Sequence, residues 1–171
     1  MADYFDRITD KQADLIRQAQ VFFVATADPG LAPGTNGVGA VNVSPKGGVP
    51  LHVLDEHRVA YLDYTGSGNE TARHSMAGGP ITVMVCSFDR EDAAVVRLYG
   101  HATVTPIAES PLAGQLLAAP AENIALPERQ AIVVDVESAV TSCGYGVPVM
   151  TFGAQRTVRE RGRRYKVPRK A

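Results

Sequence analysis

A strand-to-helix passage in the middle of the chain carries groups suited to binding an anion. The segment reads Tyr64-Thr65-Gly66-Ser67-Gly68-Asn69-Glu70-Thr71, with side-chain hydrogen-bonding groups on Thr65, Ser67, Asn69 and Thr71. Ser67 followed by Glu70 has the spacing of a capping box, which predicts a helix beginning near Gly68. Free backbone N–H groups at a helix start, with the helix dipole behind them, suit a phosphate. An ordinary capped helix explains the same residues, and the pattern by itself favours that alternative.

A second candidate site lies on the segment Val41-Asn42-Val43-Ser44-Pro45-Lys46-Gly47. Asn42, Ser44 and Lys46 occupy alternate positions, so they share one face if the segment is a strand. Lys46 could there neutralise a phosphate or lie near an electron-rich ring. A polar strand end with a solvated lysine is the alternative, and it is favoured when the segment is considered alone.

The remaining reactive residues form no familiar catalytic or metal-binding pattern. Cys143 and Tyr145 lie in Thr141-Ser142-Cys143-Gly144-Tyr145-Gly146-Val147-Pro148, where a structural thiol is the safer interpretation. The histidines have no metal-ligand spacing, so we expect no metal site; they are His52, His57, His74 and His101. No side chain stands out as a catalytic acid, base or nucleophile. Any chemistry is therefore expected to come from a cofactor.

The elements that would position these residues are mainly strands. Residues 8–20 predict an amphipathic helix capped by Thr9 or Asp10, and further helices are expected at about Asn69–Met76 and Ser110–Leu117. Strands separated by short turns indicate an antiparallel barrel with added helices. The predicted strands are Val21–Thr26, Val38–Ser44, Leu51–Leu54, Arg58–Tyr64, Ile81–Phe88, Ala94–Thr105 and Ala131–Val136. In Ala94–Thr105, Arg97, Tyr99, His101 and Thr103 alternate with apolar residues.

Composition narrows the class of protein. The 171 residues fit one domain, and 45% hydrophobic with 20% charged residues is an ordinary globular mixture. No apolar run reaches the roughly 18 residues that would span a bilayer, and the start of the chain lacks a signal-peptide pattern. Two cysteines 57 residues apart indicate no disulfide framework. We therefore expect a soluble, cytoplasmic protein that does not act in a membrane.

The net charge of −1 conceals a basic C-terminal tail. Residues 1–155 hold 9 Lys/Arg and 17 Asp/Glu, whereas residues 156–171 hold 8 Lys/Arg and a single acid, Glu160. The tail has the charge density of a phosphate-binding arm, but Tyr165 is its only aromatic residue, so base stacking has little to use. A solvated chain end is favoured over a nucleic-acid contact.

Several segments, taken in order, resemble the pyridoxamine 5′-phosphate oxidase-like family of FMN-binding split barrels. They cover about residues 8–155, and their joint occurrence is more specific than any one of them. The subgroup they resemble is marked by TGSGNET and SCGYGVP segments. The matching segments are Phe22–Ala27, Val41–Gly47, Val59–Thr71, Arg97–Gly100 and Ser142–Pro148.

The resemblance implies a mainly β fold: a six-stranded antiparallel split barrel of Greek-key type with peripheral helices. It implies a homodimer with FMN between the subunits and a flavin-binding domain, which we place at 1–155. The charge distribution separates the basic tail at 156–171 from that domain. Asn42, Val43, Ser44 and Lys46 match the strand that lines the flavin in relatives. The phosphate and ribityl groups would lie at the helix start, and two tyrosines would face the ring from the partner chain. The residues implied there are Tyr64, Thr65, Ser67, Asn69, Thr71 and Arg73, with Tyr99 and Tyr145 as the tyrosines.

This chain departs from the true oxidase at three places. The oxidase has a basic residue where Val41 stands and an arginine–lysine pair where Glu70 and Thr71 stand, and its C-terminal Arg-x-His signature has no counterpart after Tyr145. The sequence thus predicts a flavin-dependent oxidoreductase of unassigned substrate rather than an oxidase of pyridoxamine phosphate. The alternative is a non-enzymatic split barrel that stores or senses flavin, deazaflavin or heme.

Overall fold

A computed structural model describes residues 2–34, 38–64, 69–118, 129–156 and 160 of the chain. The described part is mainly β, with eight strands and three α-helices. The strands are β1 (Asp3–Phe5), β2 (Val21–Ala27), β3 (Val41–Gly47), β4 (His52–Asp55), β5 (Arg58–Tyr64), β6 (Ile81–Cys86), β7 (Ala94–Pro106) and β8 (Arg129–Cys143). The helices are α1 (Asp10–Gln18), α2 (Glu70–Met76) and α3 (Ala113–Leu117), and a 3-10 turn covers Ile107–Glu109.

All eight strands belong to one antiparallel sheet. The hydrogen-bonded order is β3-β2-β6-β7-β8-β5-β4, and β1 pairs with β8. The non-consecutive neighbours β2–β6 and β5–β8 are the crossovers expected of a Greek-key arrangement. β3 is the end strand on one side of this order, so one of its edges has no neighbour within the described sheet.

One face of the sheet encloses the main core. Phe22 and Val24 of β2 pack there with Tyr61 of β5 and Ile132 of β8, all of them essentially inaccessible to solvent. Phe22 and Tyr61 meet edge-on, with ring centroids 5.1 Å apart. Ile16 of α1 belongs to the same cluster. This core fixes β2 and β5, the two strands beside the candidate site.

The opposite side of β3, β2, β6 and β7 forms a second surface, which we call the outer face. Strand pairing puts Val43 opposite Ala25, Ala25 opposite Thr82, and Thr82 opposite Tyr99. The next row joins Pro45, Phe23 and Met84. Val41 and Val43 are 61% and 65% exposed, and Tyr99 is 38% exposed. The outer face consists of Phe23, Ala25, Val41, Val43, Pro45, Thr82, Met84 and Tyr99.

Helix α2 is held against the end of β2 by a buried hydrogen bond and a close backbone contact. Thr26 Oγ1 and His74 Nδ1 lie 3.0 Å apart, and both residues are buried. After the helix, the backbone passes so close to β2 that a Cβ at Gly79 would collide with the carbonyl oxygen of Ala27. Glycine is therefore required at Gly79, and the position of α2 depends on it.

The predicted mainly β, antiparallel fold is confirmed, but the described sheet has eight strands rather than six. β1 was missed because three residues are too few to give a periodic pattern. β8 continues to Cys143, well beyond the predicted end at Val136. The prediction stopped before the charged, exposed Glu137, but Ala139 and Val140 beyond it are buried and belong to the same strand. β3 starts and ends three residues later than predicted, at Val41 and Gly47.

The helix predictions are confirmed with shifted bounds. Helix α1 begins after Thr9, one of the two caps predicted for residues 8–20, and Thr9 forms a capping box with Gln12. Helix α2 begins at Glu70 rather than near Gly68, and α3 covers only part of Ser110–Leu117. No helix among the described residues is long and apolar enough to cross a membrane. The proposed division at residue 155 stays a prediction, since only Arg156 and Glu160 of the tail are described.

Candidate functional site

A cavity of about 310 Å³ lies where β3, the end of β5 and the start of α2 meet. It brings the two segments singled out from the sequence to one place, although 16 residues separate them in the chain. The lining residues are Asn42, Ser44, Pro45, Lys46, Gly47, Val49, Leu62, Asp63, Tyr64, Asn69, Glu70 and Thr71.

Strand β3 supplies one wall of the cavity. Asn42, Ser44 and Lys46 are partly buried and alternate with exposed neighbours, so they share one face as predicted. Their partners on β2 are Thr26, Val24 and Phe22, respectively, all buried. The polar side chains of β3 therefore extend the core face toward the cavity. Ser44 Oγ is buried and has no hydrogen-bond partner within the described part of the chain.

Lys46 forms an ion pair with Asp63 of β5. Its Nζ lies 2.9 Å from both carboxylate oxygens, and the two side chains are only 17% and 7% exposed. Asp63 Oδ1 also accepts a hydrogen bond of 3.0 Å from the backbone N–H of Tyr64. The Lys46 ammonium lies 5.9 Å from the ring centroid of Tyr61. The alternative of a solvated lysine at this position is therefore wrong.

The buried ring of Tyr61 lies next to this ion pair. Burial and the nearby Asp63 carboxylate raise the pKa of its hydroxyl well above the ordinary value of 10.0, so the ring stays neutral. The hydroxyl oxygen is buried and has no hydrogen-bond partner among the described residues. A neutral ring beside an ammonium gives a favourable cation–π contact.

The start of α2 is tied to both neighbouring strands. Asn42 Nδ2 donates to Thr71 Oγ1 at 3.3 Å, and Gln130 Nε2 of β8 donates to Asn69 Oδ1 at 2.9 Å. Asn69 precedes the helix in a left-handed conformation, with φ of 47°, and its side chain makes no capping bond. The predicted capping box depends on Ser67, which lies outside the described residues, as does Thr65.

Apart from Tyr64, the other predicted site residues that the structure describes lie away from the cavity lining in a single chain. Val43 projects onto the outer face, and Tyr99 lies on the same face. Tyr145 is 96% exposed in the turn after β8. Arg73 lies one helical turn beyond Asn69, with its guanidinium so close to Gly34 that a Cβ there would be 2.9 Å from Nη2. Tyr64 does line the cavity, although it is 50% exposed.

Asp63 and Gln130 are site residues that sequence reasoning missed. A single carboxylate inside the apolar strand sequence Val59-Ala60-Tyr61-Leu62-Asp63 was a usable signal, because a buried charge needs a partner. Nothing in the sequence connected Gln130 with Asn69, which lies 61 residues earlier. Their contact depends on the pairing of β5 with β8.

Comparison with known proteins places this chain in a family. Residues 8–143 match the family model described as pyridoxamine 5′-phosphate oxidase. The chain belongs to the pyridoxamine 5′-phosphate oxidase family. Within this family it is 33% identical, over 153 residues, to the pyridoxamine 5′-phosphate oxidase family protein ustO of Aspergillus flavus. The match covers 88% of this chain but only 57% of the length of that curated relative.

Two solved structures share the fold. A putative pyridoxamine 5′-phosphate oxidase from Lactobacillus delbrueckii superposes with a TM-score of 0.56 at 20% identity, covering 79% of this chain and 94% of that chain. A HupZ variant from Group A Streptococcus gives a TM-score of 0.53 at 22% identity, covering 79% and 99%. These likenesses support the split-barrel architecture predicted from the resemblance.

Proposed function

We propose that this protein binds FMN in the cavity between β3, β5 and α2 and acts as a flavin-dependent oxidoreductase. The observation that carries the proposal is the convergence of polar side chains from two separate segments on one cavity; they are Asn42, Ser44, Lys46, Asn69 and Thr71. The volume of about 310 Å³ is within the range of small-molecule sites. Family membership supports a flavin as the ligand, since the family generally binds one.

The groups available in the cavity fit this cofactor. Ser44 Oγ is a buried hydroxyl with no hydrogen-bond partner among the described residues, so a ligand atom would satisfy it. Asn42, Ser44 and Lys46 would contact the flavin, with Val43 beside them on β3. Tyr64, Thr65, Ser67, Asn69 and Thr71 would bind the ribityl and phosphate groups, and Arg73 would add positive charge.

A bound flavin would supply the electron transfer, by accepting or donating two electrons at its ring. The residues of the chain would bind and orient it: Asn42 and Thr71 hold the wall and the helix start together, and Asp63 fixes the Lys46 ammonium. The substrate differs from pyridoxamine phosphate in this proposal, because Val41 and Glu70 stand where the true oxidase has basic residues.

We further propose that the working unit is a homodimer with the flavin at its interface. The outer face is mainly apolar, although Arg97 of β7 borders it opposite Met84, and it includes strand β3 with Val41 and Val43 exposed. Contiguous exposed apolar surface of this kind is typical of protein interfaces, and an exposed strand edge favours pairing. Because β3 forms a cavity wall and is the end strand of the described sheet, a second copy that packs on the outer face and extends past the edge of β3 would lie beside the ligand. Tyr99 and Tyr145 would then face the ring from the partner.

Titration of the purified protein with FMN tests the proposed function. Binding is expected to quench flavin fluorescence and to give a yellow protein that absorbs at about 450 nm. Asn42→Leu should weaken binding by about tenfold or more, because it removes an amide donor and its tether to Thr71. Thr103→Val, an exposed position on β7, is the control and should bind FMN as the parent does. Absence of quenching at saturating FMN would overturn the proposal.

The second candidate function is a binding module that holds a flavin, deazaflavin or heme without turning over a substrate. It is favoured by the pairing of Lys46 with Asp63, which leaves neither group free as an acid or base in this state. Mass identification of the ligand that co-purifies separates the three cofactors. Anaerobic mixing of the FMN-loaded protein with reduced nicotinamide nucleotides separates the two functions. An oxidoreductase should lose its flavin absorbance as the flavin is reduced, whereas a binding module should retain it.

A further inference from the structure

The cavity contains one lysine, and that lysine is already neutralised. Among the described lining residues, Lys46 is the sole Lys or Arg, and both oxygens of Asp63 lie 2.9 Å from its Nζ. Glu70 lines the same cavity and adds a further carboxylate. The described lining therefore carries a net negative charge, whereas the sequence allowed Lys46 to neutralise a phosphate or to be a solvated lysine.

The surroundings hold Asp63 in this arrangement. Its carboxylate accepts the backbone N–H of Tyr64, and the residue as a whole is only 5% exposed. The Lys46 ammonium also lies 5.9 Å from the centroid of the Tyr61 ring, and that ring packs on Phe22. Breaking the pair would leave a buried charge without a partner, which is costly. The pair is thus expected to persist when a ligand enters.

We propose that Asp63 is a positioning residue that withholds the charge of Lys46 from the cofactor, so that the site binds the flavin without stabilising negative charge on its ring. This inference rests on the proposed function and concerns the same cavity. A free lysine beside the ring would favour ring forms that carry added negative charge. A neutral Lys46–Asp63 pair, together with the Glu70 carboxylate, does not favour such negatively charged forms of the ring. The site therefore differs from one in which the lysine acts as an unpaired cation.

Addition of sulfite to the FMN-loaded protein measures this property without turnover. Sulfite provides both electrons of a new sulfur–nitrogen bond to the flavin ring, the ring takes up the negative charge, and the absorbance near about 450 nm is lost. The parent protein is expected to bind sulfite weakly. Asp63→Asn should bind it at least about tenfold more tightly, because an unpaired charge a few ångströms away shifts such equilibria by that much or more.

A second measurement requires no flavin. Inorganic phosphate is titrated calorimetrically into the cofactor-free protein, where Asp63→Asn should again raise the affinity by at least about tenfold. Glu70→Gln is the matched control, because it removes the same charge from the same lining but leaves the ion pair intact. Glu70→Gln should raise the phosphate affinity clearly less than Asp63→Asn does. Equal gains in the two variants would show that only the total charge matters and would overturn the proposal.

The double variant Lys46→Met/Asp63→Asn removes both charges, so it leaves no buried charge unpaired if the single variant fails to fold. We expect it to bind phosphate and sulfite within about twofold of the parent, because it exchanges a neutral pair for neutral side chains. A marked loss of affinity would show that Lys46 acts as a cation in the parent and would refute the inference. Failure of the parent to bind FMN would overturn the proposed function alone, because the phosphate measurement would still decide the role of Asp63.

Discussion

At the scale of single residues, the site depends on partly buried polar groups that pair with one another. Asn42 and Thr71 bond to each other, Lys46 bonds to Asp63, and Asn69 bonds to Gln130. Each contact joins a different pair of elements, so each fixes the cavity walls as well as filling a hydrogen-bonding need. Such networks are rigid when all members are satisfied, and they are costly when one member is removed.

The buried contact between Thr26 and His74 offers a residue-scale prediction. Thr26→Val keeps the side-chain shape but leaves His74 Nδ1 without its partner at 3.0 Å. We expect the free energy of unfolding to fall by about 1–3 kcal/mol, the usual cost of an unsatisfied buried group. Urea unfolding measures it. The same substitution at exposed Thr103 should change stability by less than about 0.5 kcal/mol, and equal losses at both positions would contradict the prediction.

At the scale of elements, β3 performs two tasks through its period of two. Asn42, Ser44 and Lys46 face the cavity, while Val41 and Val43 belong to the outer face. One strand can therefore line a ligand site and an apolar surface at once, because successive side chains point to opposite faces. A shift of register by one residue would exchange these faces, and the core pairing with Phe22 and Val24 opposes it.

The contact between β4 and α3 predicts a pH dependence of stability. His52 Nδ1 lies 3.4 Å from Gln115 Nε2, and burial lowers the pKa of His52 below its ordinary value of 6.5. The unfolded chain thus binds a proton more readily than the folded one. The contribution of His52 to stability is fully present above pH 6.5 and is lost as the pH falls toward the lowered pKa.

Urea unfolding at about pH 7 and about pH 5 tests this expectation. The loss of stability on acidification should be smaller in His52→Gln than in the parent. His57→Gln, in the exposed turn between β4 and β5, is the control and should retain the His52 contribution. Asp55 does not contribute to the difference between these two pH values, because Arg58 lowers the pKa of that carboxyl below 3.8. Its effect on stability belongs to more acidic solutions. If His52→Gln loses as much stability between the two pH values as the parent does, the assignment of this loss to His52 is wrong.

At the scale of the whole molecule, the outer face predicts how the chain assembles. Val43→Lys would put a charge at an exposed apolar position next to the cavity wall. We expect the dimer to dissociate and FMN affinity to fall with it, because burying an unpaired ammonium in an interface is costly. Sedimentation at several protein concentrations measures the assembly. Thr103→Lys, beyond the part of β7 that pairs with β6, should leave it unchanged.

Two outcomes would contradict the dimer prediction. A parent protein that sediments as a monomer would remove the proposed interface. A Val43→Lys dimer as stable as the parent would show that the outer face is not part of the interface. If Val43→Lys is a monomer that still binds FMN with parental affinity, the cavity of one chain is sufficient and the partner does not complete the site.

The sequence by itself determined the class of fold, the family resemblance and one face of β3, since these depend on periodicity and local motifs. Asn42, Ser44 and Lys46 were identified as a group because a strand alternates. The number of strands and their ends were predicted less accurately. β1 is too short to give a periodic pattern, and β8 extends past its polar residues because it stays paired with β7 as far as Cys143.

Only the tertiary structure decided which charges meet. Asp63 lies 17 residues from Lys46 and Gln130 lies 61 from Asn69, and no local pattern contains such contacts. They arise from the approach of β3 to β5 and the pairing of β5 with β8, which hydrophobic burial drives without regard to those side chains. The lysine that the sequence suggested as a free cation is therefore half of an ion pair, because the fold buries it beside a carboxylate.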